Sequence, residues 1–302
     1  MSLTIQDRCR GALLGLACGD AVGTTVEFAA RGSFLPLQDM VGGGPFHLEP
    51  GQWTDDTSMA LCLGASLLEK GFDPQDQMDR YCNWYHNGYM SSIGRCFDIG
   101  TTVRDSLEDY EASGNPFSGS EHPHSAGNGC IMRLAPVPIY YYPNRNEMIR
   151  MSAESSRTTH GTAECLEACR LLAAVLYTAF SNSPKDGVMT PEQTGPFQCE
   201  KVAAIAAGTW KDKLKPEIRG SGYVVDCLEA ALWCFDQTDS YEQAVLTAAN
   251  LGDDADTTAA VCGQIAGAFY GESGIPQHWL TKLAMTTEIR ELADQLESSD
   301  AP

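Results

Sequence analysis

Two acidic segments lie far apart in the chain and carry the side chains best suited to chemistry. Residues 52–57 read Gln-Trp-Thr-Asp-Asp-Thr, and residues 252–257 read Gly-Asp-Asp-Ala-Asp-Thr. Each segment combines two or three carboxylates with a threonine hydroxyl. Ligand sets made only of oxygen suit hard cations such as Mg²⁺, Mn²⁺ or Ca²⁺. If the two segments converge in the fold, they supply at least four carboxylates, enough to bind two divalent cations.

Helix capping is the ordinary structural explanation for either segment taken alone. Asp and Thr are common N-caps, and acidic residues in a first turn interact favourably with the helix dipole. A cap needs one side-chain oxygen, however, whereas each segment supplies at least two carboxylates. Adjacent carboxylates repel one another and need a counter-charge when they are buried. This surplus of carboxylates favours a metal site.

Helical periodicity predicts the elements that would position these segments. Apolar and small residues follow each acidic segment at helical spacing, which predicts helices over about 55–70 and 255–270. Strand-like alternation is scarce, and its best candidate, residues 139–142, is short. The pattern therefore predicts one all-α domain over residues 1–302. Further helices are predicted at 5–19, 75–87, from about Thr101, 162–180, 197–209, 223–236, 241–249 and 276–298.

The first predicted helix carries Gly11, Gly15 and Gly19 at four-residue spacing. Small residues at this spacing let a second helix approach closely. Residues 19–28 are then interpreted as a turn, because two glycines occur within five residues. Asp20 and Glu27 are the charges in this otherwise apolar stretch, and each either caps the turn or belongs to a site.

Composition argues against several functional classes. The 302 residues carry a formal net charge of −20, whereas general nucleic-acid binders need basic surface. The same charge argues against docking on anionic lipid. Hydrophobic residues make up 43% of the chain, enough for a substantial core. Bound metal ions would offset part of the negative charge.

The twelve cysteines form no C-x-x-C pair, and several lie in apolar helical stretches. This is typical of small buried residues in a reducing compartment and not of a disulfide framework. The N-terminal residues lack the basic-then-apolar pattern of a signal peptide, and no apolar run has membrane-spanning length. We therefore expect a cytoplasmic protein.

Two further segments give weaker signals. Residues 125–129 read Ser-Ala-Gly-Asn-Gly and precede an apolar helix, so their backbone N–H groups could bind an anion. His160 precedes another predicted helix, where a histidine is more often a cap or a packing residue than a catalyst. The sequence contains no strand followed by G-x-G-x-x-G and no Walker motif.

Taken together and in order, five motifs resemble the ADP-ribosylglycohydrolase family. The similarity extends from about residue 7 to residue 271. The closest resemblance is to the dinitrogen-reductase-activating type, which removes ADP-ribose from arginine, and residues 88–91 and 96–100 look particularly like that branch. The five motifs are residues 19–27, 52–57, 125–129, 159–160 and 252–257.

The resemblance implies a single-domain, orthogonal multi-helix bundle with a cleft that binds two divalent cations, Mg²⁺ or Mn²⁺. Asp253 departs from the family pattern, which has glycine there, and is interpreted as an extra charge near the site. Asp56, Glu27 and Asp98 are the candidates for acid–base catalysis, in no firm order, and Asp98 is also expected near the arginine. The implied metal ligands are Thr54, Asp55, Asp56, Asp254, Asp256 and Thr257. The implied substrate-binding residues are Asp98, Gly100, Ser125, Ala126, Gly127, Asn128, Gly129 and His160.

The function implied by the resemblance is hydrolysis of the N-glycosidic bond that joins ADP-ribose to arginine on a protein. One alternative keeps the family and changes the linkage to serine, O-acetyl-ADP-ribose, or a nucleic-acid or small-molecule adduct. A non-enzymatic ADP-ribose-binding member and an unrelated metal-dependent phosphohydrolase are the others. The expected partner is an ADP-ribosylated protein, and we expect a monomer.

Overall fold

The computed structural model describes residues 3–191 and 196–299, and their regular structure is helical. Within these ranges β pairing is limited to isolated bridges, such as Ser120 with His160. The prediction of an all-α fold is confirmed. The α-helices are α1 (Ile5–Gly23), α2 (Asp55–Lys70), α3 (Pro74–Asn87), α4 (Thr101–Ser113), α5 (Pro136–Tyr141), α6 (Arg145–Ser156), α7 (Ala163–Phe180), α8 (Lys185–Met189), α9 (Glu200–Ala206), α10 (Val224–Asp236), α11 (Tyr241–Ala249), α12 (Ala255–Tyr270), α13 (Gln277–Lys282) and α14 (Thr286–Glu297). Short 3-10 helices occur at Thr24–Val26, Pro123–Ser125, Asn128–Cys130, Thr209–Asp212, Lys215–Glu217 and Glu272–Gly274.

Close antiparallel packing of α1 against α12 is the centre of the fold. A methyl group added at Gly19 would lie 2.2 Å from the carbonyl oxygen of Ala259. A methyl group added at Gly263 would lie 2.1 Å from the carbonyl oxygen of Gly15. The two backbones touch because the contacting residues of α1 are glycines that face glycine or alanine on α12, which confirms the close approach predicted from the glycine spacing. The end of α1 therefore lies beside the start of α12.

The other helices surround this pair. The buried apolar side chains form one cluster that extends from Cys9 in α1 to Leu296 in α14. All twelve cysteines are free thiols, so the prediction that they form no disulfide framework is confirmed. Among the described residues, no helix is both long and apolar enough to cross a membrane. The cytoplasmic location stays a prediction.

Two local predictions from the first half of the chain are wrong. The turn expected from Gly19 does not form there, because α1 continues to Gly23. Its glycines are used for packing against α12, and this tertiary contact outweighs their low helix propensity. Residues 139–142 are not a strand, since α5 covers Pro136–Tyr141. A short buried apolar run does not distinguish a strand from a helix by periodicity.

Helix boundaries in the C-terminal half differ from the predictions at three places. The helix predicted at 276–298 is divided into α13 and α14, because Met285 has a left-handed φ of 53°. The helix predicted at 197–209 shortens to Glu200–Ala206. The sequence predicts no helix between residues 180 and 197, where the structure has α8, and residues 192–195 lie outside the described residues.

Candidate functional site

Three helix ends and one loop bring the two acidic segments together. Thr54 lies at the start of α2, and its Oγ1 lies 3.3 Å from Oδ2 of Asp256 in α12. Reciprocally, Thr257 Oγ1 donates to Asp56 Oδ1 over 3.2 Å. The convergence on which a shared site depends is therefore present. The end of α1 and the following 3-10 helix bring Asp20 and Glu27 to the same place, and the loop before α4 brings Asp98.

Asp20 joins the end of α1 to the first turn of α2. Its carboxylate is fully buried. It accepts hydrogen bonds from the backbone N–H groups of Thr54 and Thr57 at 2.9 and 3.1 Å. It also accepts from the two hydroxyls at 3.0 and 2.6 Å. Burial raises the pKa of Asp20 to about 6, although these hydrogen bonds oppose the shift. Asp20 therefore holds in place the turn that carries Asp55 and Asp56.

The neighbouring carboxylates are buried and repel one another. Burial raises the pKa of Glu27 to about 10, and the adjacent charge of Asp98 adds to the shift. Burial raises the pKa of Asp98 to about 7. Burial also raises the pKa values of Asp55, Asp56 and Asp256 well above their usual range, and repulsion from nearby carboxylates acts in the same direction. Such a cluster needs positive charge.

The donor set fits a hard divalent cation. Ligand oxygens of Glu27, Asp98 and Asp256 lie within 4.8 Å of one another. Within the described part of the chain, Asp56 Oδ2 and Asp256 Oδ1 are buried and have no hydrogen-bond partner. Oxygen ligands without nitrogen or sulfur suit Mg²⁺ or Mn²⁺. Of the three residues in the closest grouping, the sequence assigned only Asp256 as a metal ligand.

A cavity of about 680 Å³ opens beside this cluster. One wall is acidic, with Glu27, Asp55 and Asp98 among its residues, and no lysine or arginine lines the cavity among the residues described. Thr54 and Asp56 are fully buried beneath it. The other predicted site residues that line the cavity are Gly100, Gly127, Asn128, Gly129, His160, Asp254, Asp256 and Thr257.

Two of the predicted substrate-binding residues lie outside this cavity. Ala126 lines an adjoining cavity of about 860 Å³. Ser125 lines neither cavity, and its Oγ is hydrogen-bonded to Ser120 Oγ at 3.0 Å. The loop itself is held by a segment with no predicted role, because the N–H of Asn128 donates to the carbonyl of Gly222 over 3.0 Å. The Gly-Ser-Gly sequence at 220–222 was the available signal.

The loop around Asn128 uses several of its own donors. The N–H of Gly127 donates to the Ser125 carbonyl over 2.9 Å. The Asn128 side chain donates to Asp254 Oδ2 over 2.6 Å. These groups are therefore engaged within the protein, and Asn128 acts on the acidic cluster through Asp254. The donors expected to face an anion from this loop are fewer than its sequence indicates.

Phe28 and Asp253 form the outer rim of the cavity. Both have left-handed backbone conformations, with φ of 62° and 57°. The Phe28 N–H donates to the Asp253 carbonyl over 2.7 Å, and the Asp253 N–H donates to the Ala29 carbonyl over 2.8 Å. A left-handed φ explains why glycine is expected at position 253, and Asp tolerates it better than most residues. Phe28 is 69% exposed, and no sequence pattern marked it.

Comparisons with known proteins give one consistent result. The family model described as ADP-ribosylglycohydrolase matches residues 1–301. The chain is 46% identical over 291 residues to ADP-ribosylarginine hydrolase Tri1 of Serratia proteamaculans, covering 96% of this chain and 79% of that protein. It is 32% identical over 305 residues to ADP-ribosyl-[dinitrogen reductase] glycohydrolase of Rhodospirillum rubrum, covering 98% and 96%. A solved structure described as an ADP-ribosylglycohydrolase-related protein complex matches with a TM-score of 0.85 and 42% identity, covering 97% and 98%.

Proposed function

The chain belongs to the ADP-ribosylglycohydrolase family, and from this premise we propose that it removes ADP-ribose from modified arginine on a protein. The relatives named as hydrolases of ADP-ribosylarginine and of ADP-ribosylated dinitrogen reductase support this substrate. The observation that carries the proposal is the cluster of buried carboxylates at one end of a cavity of about 680 Å³. A cavity of this volume is within the usual range of small-molecule sites.

We propose that the cluster holds two divalent cations, Mg²⁺ or Mn²⁺. The unpaired buried oxygens of Asp56 and Asp256 support this, as do the raised pKa values of the carboxylates. When bound, the cations supply Lewis-acid chemistry that orients the ribose hydroxyls and lowers the pKa of water. The proposed ligands are Thr54, Asp55, Asp56, Asp254, Asp256 and Thr257.

Glu27 and Asp98 are the proposed acid–base pair. Both line the cavity where it meets the cluster, whereas Asp56 is fully buried and suits a ligand role. Water adds to the anomeric carbon while the bond to the arginine nitrogen breaks, through a transition state with oxocarbenium character. One carboxyl takes a proton from the water and the other gives a proton to the leaving guanidine. The products are ADP-ribose and unmodified arginine.

The rim residues fit the arginine end of the substrate. A guanidinium stacks on an aromatic face and pairs with a carboxylate, and Phe28 and Asp253 supply both. Both residues line the cavity, and Asp253 is also exposed. A serine linkage has no cation for these groups to bind. The rim therefore favours arginine over serine as the modified residue.

Hydrolysis of two defined peptides tests the proposed function. We expect the protein to release ADP-ribose from an arginine-linked peptide with Mg²⁺ or Mn²⁺, and to release none when a chelator is present. A serine-linked peptide is expected to remain intact. The readout is free ADP-ribose separated by chromatography. Release from serine alone would overturn the linkage, and no release from either peptide would overturn the proposed activity.

An Asp20→Asn variant is expected to bind Mn²⁺ and to hydrolyse the arginine-linked peptide roughly 10–100-fold less well. The amide nitrogen cannot accept a hydrogen bond, so one pair of donors from Thr54 or Thr57 loses its acceptor. The turn carrying the proposed ligands is then less well held. Calorimetric titration of Mn²⁺ and kcat are the measurements. Asp105→Asn, at an exposed position in α4, is the control. If Asp20→Asn matched this control in Mn²⁺ affinity and kcat, Asp20 would not be needed to hold the turn.

A further inference from the structure

Arg133 is a buried cation that the proposed chemistry does not use. It is 1% exposed. Its Nη2 donates to Thr158 Oγ1 over 3.0 Å and to Thr159 Oγ1 over 2.8 Å. Its guanidinium also lies 4.7 Å from the centre of the Tyr81 ring. All of these partners are neutral, and a buried charge without a carboxylate is costly. The burial of Arg133 among neutral partners therefore indicates a specific structural role.

Thr159 lies between Arg133 and His160, and the donor in each of these two hydrogen bonds can be assigned. Thr159 Oγ1 lies 2.8 Å from Arg133 Nη2 and 2.8 Å from His160 Nδ1. Arginine can only donate, so the threonine oxygen accepts from it. Within the described residues, the Thr159 hydroxyl makes no other hydrogen bond. If its oxygen accepted from both neighbours, its buried proton would have no acceptor, which is costly, so the proton is directed at Nδ1 of His160.

This arrangement determines the tautomer of His160. With Nδ1 accepting, a neutral imidazole carries its proton on Nε2. Burial is the main reason that the pKa of His160 falls to about 4, and the charge of Arg133 acts in the same direction. The ring is therefore neutral at physiological pH. It acts as a fixed hydrogen-bond donor and not as an acid or a base.

The His160 ring lies against the loop at residues 127–129. A methyl group added at Gly127 would lie 3.1 Å from Nε2, and one added at Gly129 would lie 2.7 Å from Cε1, so the ring packs beneath this loop and lines the cavity. The N–H groups of Gly127 and Asn128 donate within the protein. Among the described cavity residues no lysine or arginine is present. The imidazole N–H is therefore available to an oxygen-rich ligand, alongside the N–H groups at the start of α4, which have no side-chain cap.

We infer that Arg133 is a positioning residue that acts through Thr159 to hold His160 as an Nε2–H donor to an oxygen of the bound ligand. The identity of that ligand, ADP-ribose, rests on the proposed function. The positioning itself is a property of the free protein. A threonine without the arginine would leave its hydroxyl free either to donate or to accept, and the tautomer would not be defined.

Nitrogen NMR of protein labelled with ¹⁵N-histidine tests this relay, the hydrogen-bonded series Arg133–Thr159–His160, without requiring activity. We expect His160, identified by loss of its signals in His160→Gln, to show a protonated Nε2 and an unprotonated Nδ1. In Arg133→Met and in Thr159→Val the two nitrogen signals are expected to move toward each other as the other tautomer becomes populated. Thr159→Ser keeps the hydroxyl and is the matched control, with wild-type signals.

Binding of ADP-ribose, measured by calorimetry, tests the consequence. Thr159→Val is expected to weaken binding about tenfold, the equivalent of one hydrogen bond, while Thr159→Ser binds like wild type. A proton on Nδ1 in the wild type would overturn the inference, as would a tautomer and an affinity unchanged in both Arg133→Met and Thr159→Val. Failure of the peptide hydrolysis with the expected tautomer intact would overturn the proposed function and leave the relay supported.

Discussion

An Asp256→Asn variant is expected to keep the fold and lose kcat by about 10³-fold or more, since several kcal/mol of metal-dependent stabilisation is at stake. Asp256 connects the two acidic segments through Thr54, and its carboxylate lies within 4.8 Å of those of Glu27 and Asp98. One of its oxygens is buried without a partner in the described chain. Asparagine preserves the shape of the side chain and removes the charge that a divalent cation requires.

Activity and stability together separate this effect from misfolding. The variant is measured for kcat with the arginine-linked peptide at saturating Mn²⁺, and for its melting temperature without metal. Because Asp256 is repelled by Glu27, Asp56 and Asp254, we expect the metal-free variant to melt no lower than the wild type. Asp105→Asn makes the same substitution at an exposed carboxylate and should leave both values unchanged. Retention of a tenth of the wild-type kcat would contradict a ligand role for Asp256.

A Gly19→Ala substitution is expected to destabilise the protein by about 3 kcal/mol, the upper end of the usual cost of overpacking. The added methyl group would lie 2.2 and 2.6 Å from the carbonyl oxygen and carbon of Ala259. Backbone atoms cannot move aside as a side chain can, so α1 and α12 must separate. Their separation would also disturb Asp20, the next residue along α1.

Gly64→Ala in α2 is the matched control for Gly19→Ala. The three atoms nearest its added methyl group all belong to the Leu292 side chain, the closest at 2.9 Å. A leucine side chain can change rotamer, and alanine is a better helix former than glycine by about 1 kcal/mol. We expect Gly64→Ala to change the free energy of unfolding by less than about 1 kcal/mol, measured by urea denaturation. Equal urea midpoints for the two variants would show that the contact between α1 and α12 can adjust to the added methyl group.

Helix positions near the site were predictable because they depend on local pattern. The predicted bounds 55–70 and 255–270 coincide with α2 and α12. Each helix starts at its acidic segment, since apolar periodicity begins there and carboxylates stabilise a first turn. Helices α13 and α14 were not separated in the same way, because the left-handed residue between them, Met285, carries no sequence signal for that conformation.

The helical class, the two acidic segments and the spacing of small residues on α1 could all be inferred from local sequence patterns. These properties depend on residues within a few positions of one another, where charge and the helical period of about 3.6 residues are visible in the sequence. The five ordered motifs added the family resemblance, with its candidate ligands and chemistry.

Which polar groups contact one another depends on how the helices pack. Thr54 and Asp256 are 202 positions apart, and Asp20 contacts α2 across 34 and 37 positions. The direction of the contacts from Arg133 through Thr159 to His160 likewise depends on a geometry that no local pattern encodes. A buried polar group must find a partner somewhere, but its position in the chain does not say where. That choice is made when the helices pack, and it sets the chemistry of the site.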